Sequence, residues 1–513
     1  LFIFSVFIIL LCLNFKYLIK PFKKIRKKTW IFLILIFLFA FVLRMWYAPH
    51  VYRIFPDEFY LKDSSYNLYE FQKYQVCYNF EMNSCDDYGV SPLKLPVSSF
   101  LLSFVFYLSD NIESLFSFVA VISSLSVVVF FFFFFLVSKK ENLSLLASLL
   151  LAVLPVQIRY AGSISVEVFS LFFLLLCFSF FLLSFKVNKI KFFSLFFITL
   201  IILLQTRYEN FILIIFFIIW YLMELNFKIK RINFNLSRSI FLFLFFFLMS
   251  FSLGIFQNVF SRSEVLWMSS LEILKNNLLF NIPKNIYFLT SSFFNASLMI
   301  LFIVGLIVLF SENKKLFVFL TSFFLTYFFL FSSHYSGVFN LAVGSKYLII
   351  LLFPIIIGSI FGIDFLIKLF NKSSQRRMLY FLFIVYLILV PFQNQDYIFI
   401  LAKTQAEYVY LSELNVDFDC QIFAEDAYGL KTVFKQTVYP INYLYDYNFI
   451  KQLNTSCLLL YENSVLFYDD FNVSDVYYYL NLTSYEKSSD IYEDDLNPFF
   501  QIEDFKYNLP LLK

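Results

Sequence analysis

Histidine is nearly missing from this chain, with two residues, His50 and His334, among 513. No cysteines stand as a CxxC pair, so neither residue type offers the clustered ligands of a metal site. Charge is scarce as well. Asp, Glu, Lys and Arg make up 15% of the residues against 60% hydrophobic and 23% aromatic, more apolar surface than a soluble core could hide. The chain reads as a polytopic membrane protein, and no nucleic-acid partner is expected. Glycine is held to 9 residues while phenylalanine reaches 79. The run Phe130 to Phe135 is read as compositional drift, because Phe, Leu and Ile serve alike against lipid.

A helix needs about 20 mainly apolar residues to cross the hydrocarbon. Apolar blocks lie near 30–47, 114–137, 143–160, 166–185, 192–206, 209–225, 238–256, 296–310, 316–333, 346–367 and 378–393. Another, 1–15, precedes a basic cluster, the reverse of a secretory signal, and is taken as an extra anchor. About 11–12 transmembrane helices follow. Lys and Arg concentrate at 16–28, 139–140, 186–191, 228–231, 314–315 and 368–377. Two helices separate each successive pair, so all six segments fall on the cytoplasmic side, provided that 95–108, too short to span, lies along the outer face.

The implied organisation is an anchor and basic segment at 1–29, a transmembrane domain at 30–393 and a separate domain at 394–513. The transmembrane domain carries outer loops at 48–113 and 257–295. The last region holds 19 acidic against 7 basic residues, and short runs such as "CQIFAED" and "SCLLLYEN" predict strands. It is expected to be a small α/β domain outside the cytoplasm, on a multi-pass protein of the plasma membrane. Sequons at Asn454, Asn472 and Asn481 agree weakly, since Asn142 and Asn235 carry the same motif on the predicted inner side. Cys77 and Cys85 share the first outer loop, and Cys420 and Cys457 share the outer domain. Both pairs are candidate disulfides whose partners the spacing does not fix.

Ionisable groups at membrane depth are costly and point to function. Two hairpins carry them at their outer turns: "VQIRYAGSISVEVF" with Arg159 and Glu167, and "LLQTRYENFIL" with Arg207 and Glu209. Lys94 in "SPLKLP", His334, and Lys346 with Tyr347 in "VGSKYLIILLFP" fall on the same side. Cations gathered at a lipid-level surface suit an anionic phosphate. The structural alternatives are an Arg–Glu pair stabilising each turn and a Lys346 that snorkels to the interface. Asp57 and Glu58 stand side by side in "RIFPDEFYLKDSSYNLYE", within about ten residues of a span by the same reckoning. Surface loops often carry acids. At this depth, however, a carboxylate can take the proton of an attacking hydroxyl while basic groups stabilise a departing phosphate.

These motifs resemble the GT-C glycosyltransferases, in the branch of protein O-mannosyltransferases and aminoarabinose transferases. "PDEFY" is similar to the family's Asp-Glu pair, which implies Asp57 as catalytic acid with Glu58 beside it. "SPLKLPVSSFLL" is similar to the Pro-Pro-Leu element before a membrane-lying helix, although the second Pro differs. "SISVE" supplies Glu167 as a second acidic site, Thr206-Arg207 resembles the Thr-Arg element, and "KYLIILLFP" matches an Arg-Tyr step with Lys346-Tyr347. Lys346 keeps the charge and loses the guanidinium fork.

The resemblance implies a GT-C-like helical membrane domain and an inverting transfer of a single sugar from a polyprenyl- or dolichyl-phosphate donor to an extracytoplasmic acceptor, whether protein, glycan or lipid. Lys94, Arg159, Arg207, Lys346 and Tyr347 would bind the lipid phosphate. No cofactor or metal is implied: there is no convincing Asp-x-Asp element in the first loop, and the Trp-Trp-Asp-Tyr-Gly motif of the oligosaccharyltransferase branch is missing. Two other classes compete. A transporter or flippase predicts polar or broken helices at mid-membrane, and a non-catalytic scaffold makes the Asp-Glu pair incidental.

Overall fold

The computed structural model describes residues 2–50, 56–72, 96–109, 111, 113–186, 189–224, 271–291, 296–334, 337, 339, 346–370, 372–395 and 398, with six short strands between 420 and 504. They form two compact units, Leu1–His50 with Leu93–Phe399, and Val51–Pro92 with Ile400–Lys513. Helices are numbered in chain order through both.

In the first unit, α1 (Phe2–Ile19) and α2 (Lys27–Val42) precede a π-turn at Leu43–Tyr47. The single helix of the second unit is α3 (Pro56–Glu70) among the described residues. The first unit resumes with α4 (Pro96–Phe106), α5 (Glu113–Ser138), α6 (Glu141–Val153), α7 (Pro155–Ala161), α8 (Val166–Lys186), α9 (Lys189–Leu204) and α10 (Ile212–Glu224). It ends with α11 (Leu271–Thr290), α12 (Ala296–Glu312), α13 (Lys314–Ser332), α14 (Leu348–Lys368) and α15 (Ser373–Gln393). Seven of the described helices are long and apolar enough to cross a membrane, or eight if α6 and α7, bent by 58°, count as one broken span. Shorter apolar helices cover the blocks near 192–206, 209–225 and 296–310. Block 238–256 lies outside the described residues. At 11 residues, α4 is too short to cross, as expected of 95–108.

Ion pairs gather three of the basic segments at one end of the unit. Arg26 pairs with Glu141 at 2.9 Å, and Asp364 pairs with Lys140 at 2.8 Å and Lys368 at 2.9 Å. For these three segments, the shared side inferred from the Lys and Arg pattern is a shared end of the bundle.

The phenylalanine run corrects the compositional reading. Phe130, Phe131, Phe133 and Phe134 are almost completely buried. Phe133 packs on Phe178 and Phe353, and Phe178 stacks on Phe353 at 4.9 Å. The run is core between α5, α8 and α14, because a helix crowded by neighbours on several sides turns most of its faces inward.

Glycine, scarce elsewhere, gathers where α12 crosses α14. A Cβ built on Gly305 would stand 1.8 Å from the Gly358 carbonyl oxygen, and one on Gly362 would stand 2.2 Å from that of Leu301. Ser359 adds a 2.9 Å bond to the Leu298 carbonyl. Small residues let backbones touch where lipid supplies no hydrophobic drive. Gly305→Val is therefore expected to cost about 3 kcal/mol or more, the upper end for overpacking, since the clash is with backbone. Thermal unfolding in detergent checks it.

The second unit holds α3 and a mixed sheet. Its strands are β1 (Cys420–Ala424), β2 (Val438–Pro440), β3 (Cys457–Glu462), β4 (Val465–Asp470), β5 (Asp490–Ile491) and β6 (Glu503–Asp504), in spatial order β2-β1-β3-β4-β6-β5. β1 lies parallel to β2 and β3, while β3 and β4 form an antiparallel hairpin. "CQIFAED" and "SCLLLYEN" are strands as expected. The connections between these strands lie outside the described residues.

Candidate functional site

Three turns meet at the end of the first unit remote from Asp364. The first joins α7 to α8. Gly162 ends α7 because no side chain fits there: a Cβ would lie 2.2 Å from the Pro49 carbonyl oxygen. Five residues on, Glu167 falls in the first turn of α8, where the helix dipole favours an anion. Ser165 Oγ donates to Glu167 Oε2 at 2.5 Å.

The second turn joins α9 to α10. Arg207 is extended, at φ −149° and ψ 144°, and precedes a 3₁₀ turn at Tyr208–Phe211. Asn210 fastens this corner, its Nδ2 lying 2.9 Å from the Leu203 carbonyl, Thr206 Oγ1 and Ser170 Oγ. The third turn, Lys346–Tyr347, leads into α14.

Arg207 ties these turns together. Its Nη2 and Nε fork onto Glu209 at 2.7 and 3.1 Å, and Nη1 reaches Glu167 at 2.5 Å. Below it lies the Tyr347 ring, 5.2 Å from Cζ, in the range of a cation–π contact. Tyr347 stacks on Phe331 at 4.5 Å, and its hydroxyl lies 3.5 Å from His334 Nδ1. Lys346 Nζ is 5.7 Å from the same ring, and Tyr327 donates to the Glu209 carbonyl at 3.2 Å. Burial alone would lower the Arg207 pKa, but Glu209 and then Glu167 reverse the shift and raise it. The guanidinium thus stays charged, and two of its five N–H donors have no hydrogen-bond partner among the described residues.

The expected residues divide accordingly. Glu167, Arg207 and Tyr347 come together, with Lys346 beside them. Of the two expected Arg–Glu turns, the second forms, Arg207 with Glu209; Glu167 of the first bonds Arg207 of the other hairpin, because the turns face each other. Arg159 is buried in α7 with its guanidinium 5.9 Å from the Tyr160 ring. In the second unit, Asp57 is the second residue of α3, where Pro56 gives up no helical hydrogen bond; the Asp57 side chain lies outside the description. Glu58 is buried. One turn on, burial lowers the Lys62 pKa and Asp63 offsets part of that. Lys94, Cys77 and Cys85 lie outside the described residues. Cys420 and Cys457 are register partners on β1 and β3.

Two features escaped the sequence reading. Asn277, Asn281 and Asn285, spaced by four along α11, hold the His334 loop through the carbonyls of Ser332, Ser333, His334 and Gly337. Their helical spacing was a visible signal. Arg44, wholly buried after α2, was visible as a lone cation in an apolar run.

No family model matches the chain, and no curated protein sequence matches it. Solved structures do. The oligosaccharyltransferase of Archaeoglobus fulgidus, in its apo form, aligns over 85% of this chain and 70% of its own at 12% identity, with a TM-score of 0.52. ArnT from Cupriavidus metallidurans, bound to undecaprenyl phosphate, aligns over 90% and 96% at 10% identity, also with a TM-score of 0.52. Both are GT-C glycosyltransferases, so the chain shares the GT-C membrane fold that its motifs resemble.

Proposed function

We propose that this protein is a multi-pass membrane glycosyltransferase that moves a single sugar from a polyprenyl- or dolichyl-phosphate carrier to an acceptor outside the cytoplasm, with inversion at the anomeric carbon. The observation that carries the reading is the clamped Arg207, buried beside Lys346 and His334 over a tyrosine face, in a chain with the fold of lipid-carrier enzymes. A planar guanidinium with donors to spare suits a phosphate oxygen. Lys346 adds charge, and Lys94 and Arg159 are the further candidates for the same anion.

In this mechanism the acceptor hydroxyl oxygen attacks the anomeric carbon and the carbon–oxygen bond to phosphate breaks on the opposite face. The proton passes to Asp57, while the basic groups hold the charge developing on the phosphate. Glu58 lies beside the base, and Glu167 acts by orienting Arg207. A labelled polyprenyl-phosphate sugar, incubated with membranes that contain the protein and a mixed acceptor pool, should be consumed as a glycoside forms. Donor that stays intact while lipid exchanges between leaflets would favour a flippase instead.

Sidedness has its own test. Adjacent strands lie about 4.8 Å apart, inside the roughly 4.4–6.8 Å Cα range of disulfides, and Cys420 and Cys457 are neighbours across β1 and β3. An oxidising exterior should therefore link them. Peptide mapping without reductant is expected to return a 420–457 cross-link. Two free thiols would argue that the C-terminal unit faces the cytoplasm.

A further inference from the structure

Arg44 is 0% exposed, and its hydrogen-bond partners among the described residues are all neutral. Nε donates to Ser123 Oγ at 2.8 Å, Nη1 to the carbonyls of Ala40 and Ala152 at 3.0 Å, and Nη2 to the Leu151 carbonyl at 3.3 Å. A cation at this depth without a carboxylate is costly, so its acceptors must need it.

They do. Between α6 and α7, Leu154 is extended at φ −63° and ψ 125°, the conformation preferred before proline. Pro155 has no N–H for the Leu151 carbonyl, and the bend carries later amides away from that of Ala152. Two carbonyls are thereby orphaned inside an apolar bundle, where each unsatisfied group costs several kcal/mol. Arg44 donates to both.

The residue reaches this point because the helix changes pitch there. Ala48 N bonds the Leu43 carbonyl at 2.8 Å, an i to i+5 closure that marks the π-turn. On the far side of the break, Gln157 of α7 donates to the same Ser123 hydroxyl at 3.0 Å. Pro49, just beyond the π-turn, fills the space that a side chain at Gly162 would take. The segment 44–50 therefore grips α7 at both ends, and five residues after Gly162 comes Glu167, the orienting partner of Arg207.

We infer that Arg44 is a positioning residue. It caps the broken end of α6, fixes the direction of α7, and through the Gly162–Ser165 turn sets Glu167 and Arg207. The second half of this chain of contacts rests on the lipid-phosphate reading, and the first half does not.

Two variants of the full-length protein test it in detergent, with hydrogen exchange and undecaprenyl phosphate binding by native mass spectrometry as readouts. Arg44→Met should speed exchange of amides 154–165 by about tenfold or more and leave those of α14 unchanged. It should also weaken undecaprenyl phosphate binding by about tenfold or more, as the displaced turn misaligns the anion site.

Adding Pro155→Ala restores an N–H at the break and lets α6 and α7 run as one helix. The double variant should regain thermal stability without regaining affinity. Unchanged exchange at 154–165 in Arg44→Met would overturn the inference, and so would a double variant that fails to fold. Affinity that returns together with stability would reduce Arg44 to a packing residue. Wild-type protein that does not bind undecaprenyl phosphate would defeat the lipid-phosphate reading alone, because the exchange arm still reports on the break.

Discussion

Asp57→Asn is expected to lower sugar transfer by about 10²-fold or more while the protein folds as before. Asn has nearly the shape of Asp and can still accept a hydrogen bond, so the first turn of α3 keeps its geometry. What it lacks is basicity. If the acceptor hydroxyl must lose its proton as the glycosidic bond forms, no group at position 57 takes it, and the loss appears in kcat more than in KM. Turnover of purified protein at saturating donor decides the matter. Near-wild-type turnover by Asp57→Asn, with Glu58→Gln inactive, would move the role to Glu58; full activity in both would remove the acid pair from the chemistry.

Legibility followed sequence distance. "PDEFY" can be read because its residues are consecutive, and Pro56 ahead of two acids is a helix start in its own right. β1 and β3 were visible as short apolar runs between polar ends, whereas their shared neighbourhood with β2 and β4 depends on connections no local pattern encodes. Glu167 and Arg207 each stood out as charges at a hairpin turn. Their bond across 40 positions did not, since each had a closer acid or base that could have served as partner. The Phe130 to Phe135 run shows the converse: composition cannot separate a lipid-facing helix from one surrounded by protein, because hydrocarbon and a packed core select the same side chains. Arg44 was passed over beside larger clusters, although its isolation was the signal.

Arg207→Met carries the largest expected loss of stability, about 3–5 kcal/mol, the range for removing one partner of a buried ion pair. The cost does not measure the attraction lost. It arises because Glu167, with a side chain 8% exposed, and Glu209 at 25% are left as carboxylates facing each other without the guanidinium between them. Neutralising them should therefore restore most of the loss. In Arg207→Met combined with Glu167→Gln and Glu209→Gln, the turns are held by neutral amides, and thermal unfolding should return near the wild-type midpoint.

Donor binding separates the two roles open to Arg207. If it only staples α8 to the α9–α10 turn, the triple variant should bind undecaprenyl phosphate as the wild type does. If its spare donors grip the phosphate, affinity should stay reduced by about tenfold or more, the worth of one charge-assisted bond, although stability has returned. Arg207→Lys adds a geometric check, since it keeps the charge and loses the fork onto Glu209. Weakened binding with unchanged stability in that variant would point to the phosphate. Equal losses in both would return Arg207 to the staple.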